Sequence, residues 1–349
     1  MSAFPRLGSL LRYARLRSIA PASLVCAALV QPNIALAQEP ILAPAAVADC
    51  VADDAVTVER DGDKVVVKID GDLVTEYLER SGAKPVLWPV LGPSGHELTR
   101  AYPQRETAGP HEREDHVHHR SFWFTHGDVN GISFWHETEG HGNILHREFT
   151  ELTSGDVGVI ESLNDWMSPE GVKQCEDLRR FEFSDHQLGR LIKVSIIVTA
   201  TEGPLRFGDT KEGSFGVRVA GSMKVDEKLG GTILTSEGLR DGESWGKPAS
   251  WVDYAGPVGE GRGGITILNH PSSYGYPSHW HVRTYGLFAA NPFGLHDFYG
   301  ADSGRNGALE LELGESFTLS YLVLLHDGDV TADQINELFK TYSDEAPGR

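Results

Sequence analysis

Between Asp115 and Glu137 the chain reads DHVHHRSFWFTHGDVNGISFWHE, with five histidines, two tryptophans, one arginine and three acids in 23 residues. Widening the window to His111–His146 takes in eight of the chain's 15 histidines. Imidazole is the side chain that titrates nearest neutral pH, and it is also the commonest metal ligand. Four uses fit such a cluster: a metal site, an acid/base site, a sugar-binding surface, or a hydrogen-bonded polar core without chemistry. If Asp115–Phe124 is extended, alternation places His116, His118 and Arg120 on one face, with Asp115, His119 and Ser121 on the other. His126 and Asp128 follow in a loop whose Gly127, Asn130 and Gly131 favour turns.

A second stretch, HWHVR, repeats the arrangement. His279, His281 and Arg283 share one face of a regular strand, and Trp280 takes the other. If the two strands lie close together, four imidazoles and two guanidiniums converge. As a metal site, two or three of His116, His118, His119, His279 and His281 would bind a divalent ion. His116, His118 and His281 are the leading set, with Asp128 or Glu212 as the carboxylate. Imidazole suits zinc, copper, iron and nickel, although the spacing matches no H-E-x-x-H pattern. As an acid/base site, the histidines would move protons on a sugar while Arg120 and Arg283 hold its oxygens.

The stretch GDTKEGSFGVRVA adds Asp209, Lys211 and Glu212 in a glycine-bounded loop. Glu212 is a candidate general base. Lys211 would hold a substrate oxygen or simply pair with Glu212 in a solvated turn. Glu237 and Asp253 are weaker carboxylate candidates. Indole offers a flat apolar surface for the C–H face of a sugar ring. Of Trp123, Trp135, Trp245, Trp251 and Trp280, the expectation is that Trp135 or Trp280 faces a cleft and the others join the core.

These residues need a scaffold, and the sequence predicts an all-β one. VTVERDGDKVVVKIDGDLVTEYL reads as three strands with Asp-Gly turns at Asp61–Asp63 and Asp70–Asp72. Further runs predict strands over Arg147–Thr153, Val157–Leu163, Lys173–Phe183, Arg190–Thr199, Ser214–Val225, Gly264–Leu268, Thr284–Ala290 and Ala308–Leu325. A helix is expected over Thr331–Tyr342, capped by Asp329 or Thr331, and a weaker one over Trp166–Cys175. Many short strands with few helices mean a large antiparallel β-sandwich. No composition break divides residues 55–343, so one domain is the simpler organisation and two sandwiches the alternative, with 344–349 as a tail.

Residues 1–37 have the layout of a secretory signal peptide: four arginines, an apolar stretch over Ile19–Val30, and Ala35-Leu36-Ala37 before Gln38. Residues 38–54 read as a linker. The expected mature protein is exported, to the periplasm or beyond the cell, with no stable membrane insertion after cleavage. The formal net charge of −19 becomes −23 without the four arginines, which argues against nucleic-acid partners. Export permits a disulfide between Cys50 and Cys175. No nucleophile elbow, P-loop or dinucleotide fingerprint is present.

Four stretches together resemble a bacterial family of unknown function labelled methane oxygenase PmoA-like: Asp115–Trp135, Gly208–Ala220, Ser244–Pro257 and Leu268–Gly294, followed by Leu324–Asp329. The likeness covers nearly all of the chain after the linker. That family is similar to the galactose-mutarotase-like supersandwich proteins, whose members bind or process carbohydrate. The resemblance therefore implies a supersandwich-like fold and a small-molecule carbohydrate as partner. The leading expectation is an exported carbohydrate-active enzyme doing acid/base chemistry (hydrolysis, β-elimination or epimerisation) on a sugar or oxidised glycoside. Its site would combine His116, His118, His119, His279, His281 and Glu212 as acid/base groups. Arg120, His126, Asp128, Trp135, Lys211, Trp280 and Arg283 would contact substrate. The alternatives are a non-catalytic carbohydrate-binding protein and, as the family label implies, a metal-dependent oxidoreductase. A divalent metal is the only cofactor the residues indicate.

Overall fold

Alternation of apolar and polar residues builds the first strands. In the computed structural model, which describes residues 55–346, they are β1 (Val56–Asp61), β2 (Lys64–Ile69) and β3 (Asp72–Ser81). Asp70 and Gly71 take φ of 51° and 84° in the second turn, the positive values that a primed two-residue hairpin turn requires. β4 (Lys84–Val90), β5 (Phe122–His126), β11 (Gly213–Arg218), β16 (Leu287–Ala290) and β15 (Trp280–Val282) complete an eight-stranded sheet. Its order is β1-β2-β3-β4-β5-β11-β16-β15.

A second eight-stranded sheet runs β12 (Thr232–Thr235), β13 (Trp251–Val258), β14 (Gly261–Asn269), β18 (Ser316–Asp327), β9 (Gly189–Thr199), β8 (Lys173–His186), β7 (Gly158–Met167), β6 (Asn143–Thr153). β10 (Leu205–Phe207) and β17 (Leu309–Leu311) form a separate two-stranded ribbon. All these pairings are antiparallel. The fold is the all-β sandwich that the strand pattern implied.

The core lies between the sheets. Phe122, Phe124 and Phe215 from the first meet Ile196, Tyr321 and Val323 from the second. Phe215 stacks on Tyr321 with ring centroids 4.5 Å apart. Each such burial contributes roughly 1.5–3 kcal/mol. On the far side of the second sheet, α2 (Ala332–Ser343) covers Trp251, Leu268, Leu322 and Leu324 with Ile335, Leu338 and Tyr342. Its start is fixed by a capping box between Thr331 and Gln334. The other helix, α1 (Leu295–Tyr299), is short. No helix among the described residues is long and apolar enough to cross a membrane.

Three expectations change. Trp166–Cys175 is not helical: it closes β7, turns at Ser168–Gly171 and opens β8, with Trp166 and Cys175 opposite each other and both fully buried. Ala308–Leu325 is two strands split by a turn in which Gly314 takes φ 89°. Ser214–Val225 ends as a strand at Arg218. β4 was hidden in the sequence by Pro85 and Pro89, which interrupt its alternation. The leader, the linker and Cys50 lie outside the described residues.

Candidate functional site

The outer face of the first sheet bears a small apolar cluster of Val86, Trp123, Trp135, Leu287 and Ala289, and Phe298 of α1 reaches this face at the His281 ring, 6.5 Å away. Strand register then fixes which polar residues join it, because paired residues in antiparallel strands point to the same side. Trp123 lies opposite Gly216, Gly216 opposite Ala289, and Ala289 opposite His281. The next row holds Arg218 and Leu287, and the Arg283 amide donates to the Leu287 carbonyl at 2.7 Å. Gly216 leaves room for the Trp123 indole to lie over it, so the row is buried from end to end, from Trp123 to His281. With strands about 4.8 Å apart, the three steps separate these two by about 14 Å.

At the Trp123 side, residues 115–121 form a turn and not the extended segment expected. His116 and Ser121 take φ of 44° and 62°, conformations that cost about 1–3 kcal/mol each and need support from their surroundings. Arg100, 1% exposed, supplies it. Its guanidinium donates to the carbonyls of Asp115, His116 and His119 at 3.0, 2.8 and 3.1 Å. His119 is buried, stacks on Trp123 at 5.5 Å, and accepts from Arg218 through Nδ1 at 3.0 Å. Burial and the Arg218 charge hold its pKa far below the ordinary value, so it is a neutral positioning residue.

His118 packs against His119 at 4.6 Å and His136 at 4.9 Å. Burial, with His136 and Lys84 beside it, pushes its pKa down to about 3. His116 is exposed, lies 3.3 Å from Asp115 and stacks on Tyr285 at 5.6 Å.

At the other side, His281 donates from Nδ1 to the Lys211 carbonyl at 2.6 Å, which fixes the tautomer and leaves Nε2 with the lone pair. Burial outweighs the Lys211 carbonyl and Glu212, so the pKa falls to about 4. Glu212 pairs with its neighbour Lys211 at 3.1 Å. The Arg283 guanidinium lies over both Trp245 and Tyr285, 5.6 Å from each ring. The nearby acids are committed elsewhere, Glu212 to Lys211 and Asp115 to Arg100 and Arg218. Tyr285 also lies under Arg218 at 4.8 Å. Burial raises its pKa, with both guanidiniums opposing. Tyr285 thus links the two sides: His116 stacks on one part of it and Arg283 reaches it from the other.

Over residues 64–340 the sequence matches the model of a family described as a family of unknown function, DUF6807. The chain belongs to this family. Among solved structures, a galactose mutarotase-like protein from Lactobacillus casei ATCC 334 is similar at 9% identity and a TM-score of 0.35, covering 78% of this chain and 100% of its own. A polysaccharide lyase is similar at 11% identity and a TM-score of 0.29, covering 82% of this chain and 34% of its own. No curated protein sequence matches.

In this DUF6807 member several expected site residues have other duties. Arg120 grips Glu137 at 2.8 and 2.5 Å, and Glu137 also accepts from the fully buried Lys84 at 2.9 Å. Arg120 is therefore neutralised internally. His126 faces the sandwich core, donating to the Gly208 carbonyl at 2.8 Å and accepting from Ser214 at 3.2 Å. It is there because β5 alternates and residue 126 falls on the inner side. Asp128 caps a turn at the Gly131 amide and pairs with Arg206. Trp135 and Trp280 are both 0% exposed; Trp280 donates to the Ala249 carbonyl at 3.0 Å. Neither offers a face to a ligand.

His279 bonds Tyr299 at 3.1 Å in a separate hollow. Among the described residues no three His, Cys, Asp or Glu side chains are arranged to hold a metal ion. His116 and His118 lie at the Trp123 end of the row and His281 at the other end, whereas ligands of one ion need contacts of about 2 Å.

Tyr285, Trp245, Arg218 and His136 were not singled out as site residues from the sequence. Tyr285 and Trp245 were out of reach because both lie in turns outside the strands, and Arg218 because only strand pairing brings it here. Larger grooves, such as the one of about 580 Å³ along Glu97, His111 and Leu229, lie away from this face.

The buried imidazoles carry a pH signature. His118, His126, His279 and His281 have pKa values lowered to about 3–4, chiefly by burial. Below pH 6.5 the unfolded chain takes up protons that the folded one refuses. Stability is therefore fully present above 6.5 and is lost as pH falls, by about 1.4 kcal/mol per pH unit per unmatched proton. Urea midpoints should drop steeply between pH 6.5 and 5, before most carboxylates titrate. A flat midpoint over that range would contradict the burial of these rings.

Proposed function

We propose that this DUF6807 member is an exported enzyme doing acid/base chemistry on a sugar that carries an acidic or oxidised group. One observation carries the reading. His281 presents a tautomer-fixed Nε2 on the same face as Arg283, a guanidinium held between Trp245 and Tyr285 with no carboxylate partner among the described residues. Arg283 would hold a substrate carboxylate or carbonyl oxygen, and bidentate contact would orient it. His281 would take a proton from the adjacent carbon or hydroxyl. Tyr285, whose ring Arg283 touches, would return one. At ~14 Å from His281, the Trp123 end of the row is too far away to serve the same reacting atoms. The basic start, apolar stretch and A-x-A pattern support export.

A second reading, carbohydrate binding without turnover, has one observation in its favour. Values near 3 and 4 for His118 and His281 are far from the neutral range where proton transfer is most efficient. An anionic substrate beside these rings would raise both, which reconciles the first reading with the geometry.

The deciding assay offers free and glycosidically linked uronic acids and ketosugars to the purified protein, with His118→Ala and Arg283→Met alongside. Turnover is expected in the wild type. Arg283→Met should raise KM for acidic sugars by about 10–100-fold, the loss of a charge-assisted pair of roughly 1.5–3 kcal/mol. Saturable binding with no product, and tryptophan variants at Trp245 more damaging than histidine variants, would install the second reading instead.

A further inference from the structure

Near His281 lies a hollow of about 190 Å³ bordered by Tyr274, His279, Pro292, Leu295 and Asn306. That is smaller than the roughly 300 Å³ at which pockets for drug-sized ligands begin, so it suits one ring and not a whole ligand. His279 precedes His281 by two residues, which places both imidazoles on the same side of the strand. Phe298 stands between them as a shared wall. It stacks on His279 at 5.8 Å and touches the rings of His281 and Trp245 at 6.5 and 5.6 Å.

Pro292, Leu295 and Ala308 give the hollow apolar walls beside the imidazole of His279, and a cation stands next to it. Arg305 lies over the Tyr299 ring at 4.0 Å, and Tyr299 bonds His279. Burial, together with the charges of Arg305 and Lys247, pushes the pKa of His279 down. Asp209 is bonded to the main-chain amides of His296 and Gly307, and Asp297 to that of Lys211. Arg305 makes no ion pair among the described residues, so in a chain of net charge −19 an unpaired guanidinium stands at this hollow as well as at Arg283.

We propose that the hollow is a second subsite, taking the neighbouring unit of an acidic oligosaccharide whose reacting unit lies at His281 and Arg283. This rests on the reading of His281 and Arg283 given above. A tethered second contact raises affinity without any change at the first, because the second unit binds at high effective concentration.

Calorimetry on the full protein tests it, using hexasaccharides of galacturonate, mannuronate and hyaluronan against their free uronic acids. At least one hexasaccharide should bind ten times or more tighter than its monomer. Arg305→Glu, an exposed change that leaves the core untouched, should reduce that ratio to near one, and His279→Ala should do the same. Equal binding of monomer and hexamer by the wild type, or a ratio untouched by both variants, overturns the subsite and leaves the reading of His281 and Arg283 standing. Failure of every acidic sugar to bind the wild type overturns both.

Discussion

Turnover of the acidic sugar is expected to fall about 10²–10⁴-fold when His281 is replaced by asparagine, the range associated with loss of a positioned general base. Asparagine is the informative choice. Its side-chain amide can still donate to the Lys211 carbonyl, the partner that His281 meets at 2.6 Å, so the loop before β11 stays tied to β15. What disappears is Nε2. If His281 acts only as a structural tie, asparagine should leave kcat close to that of the wild type and alanine should not. If Nε2 moves the proton, both variants lose kcat alike while the melting temperature of the asparagine form stays near that of the wild type. A fully active His281→Asn enzyme would remove the catalytic assignment.

Glu137→Gln should produce the largest loss of stability, about 3–5 kcal/mol, as expected when one partner of a buried ion network is removed. Glu137 accepts from Lys84 and Arg120 together, and the side chains of these three are 9%, 0% and 14% exposed. Burial alone would raise its pKa, but the two cations hold it at about 2. The mirror effect appears on Lys84, which burial pulls down to about 8 against the attraction of Glu137.

Glutamine leaves both cations without their counter-charge, so Lys84 should shed its proton in the variant. The carboxylate's contribution is present above its unfolded value and is lost only as pH falls toward 2. At neutral pH the wild type therefore has it in full. Chemical denaturation of Glu137→Gln and of the double variant Lys84→Met/Glu137→Gln checks this. The double variant should recover part of the loss, because an uncharged chain replaces the stranded ammonium. Equal stability of wild type and Glu137→Gln would show that the network contributes little.

The two outcomes separate what could be read along the chain from what could not. The sandwich was legible because each strand declares itself through alternation and each Asp-Gly turn through its need for positive φ. His281 and Arg283 were legible for the same reason: β15 is regular, so period two placed them on one face. The same rule misplaced His116, His118 and Arg120, because Arg100, fifteen residues away from Asp115, folds that segment into a turn. Nothing local in the sequence announces that clamp.

Alternation also cannot say which face of a sheet meets the partner sheet. His126 and Trp280 fell inward for that reason, and Trp135 was buried by packing on Trp123 at 5.4 Å. The sequence by itself determined the fold class, the helix at Thr331, and a face of β15 bearing His281 and Arg283, all properties of local periodicity. Only the tertiary structure decided that the row from His281 to Trp123 is buried, with the Trp123 indole lying over Gly216. It alone set Tyr285 and Trp245 around Arg283, because both lie in turns whose placement no spacing along the chain fixes.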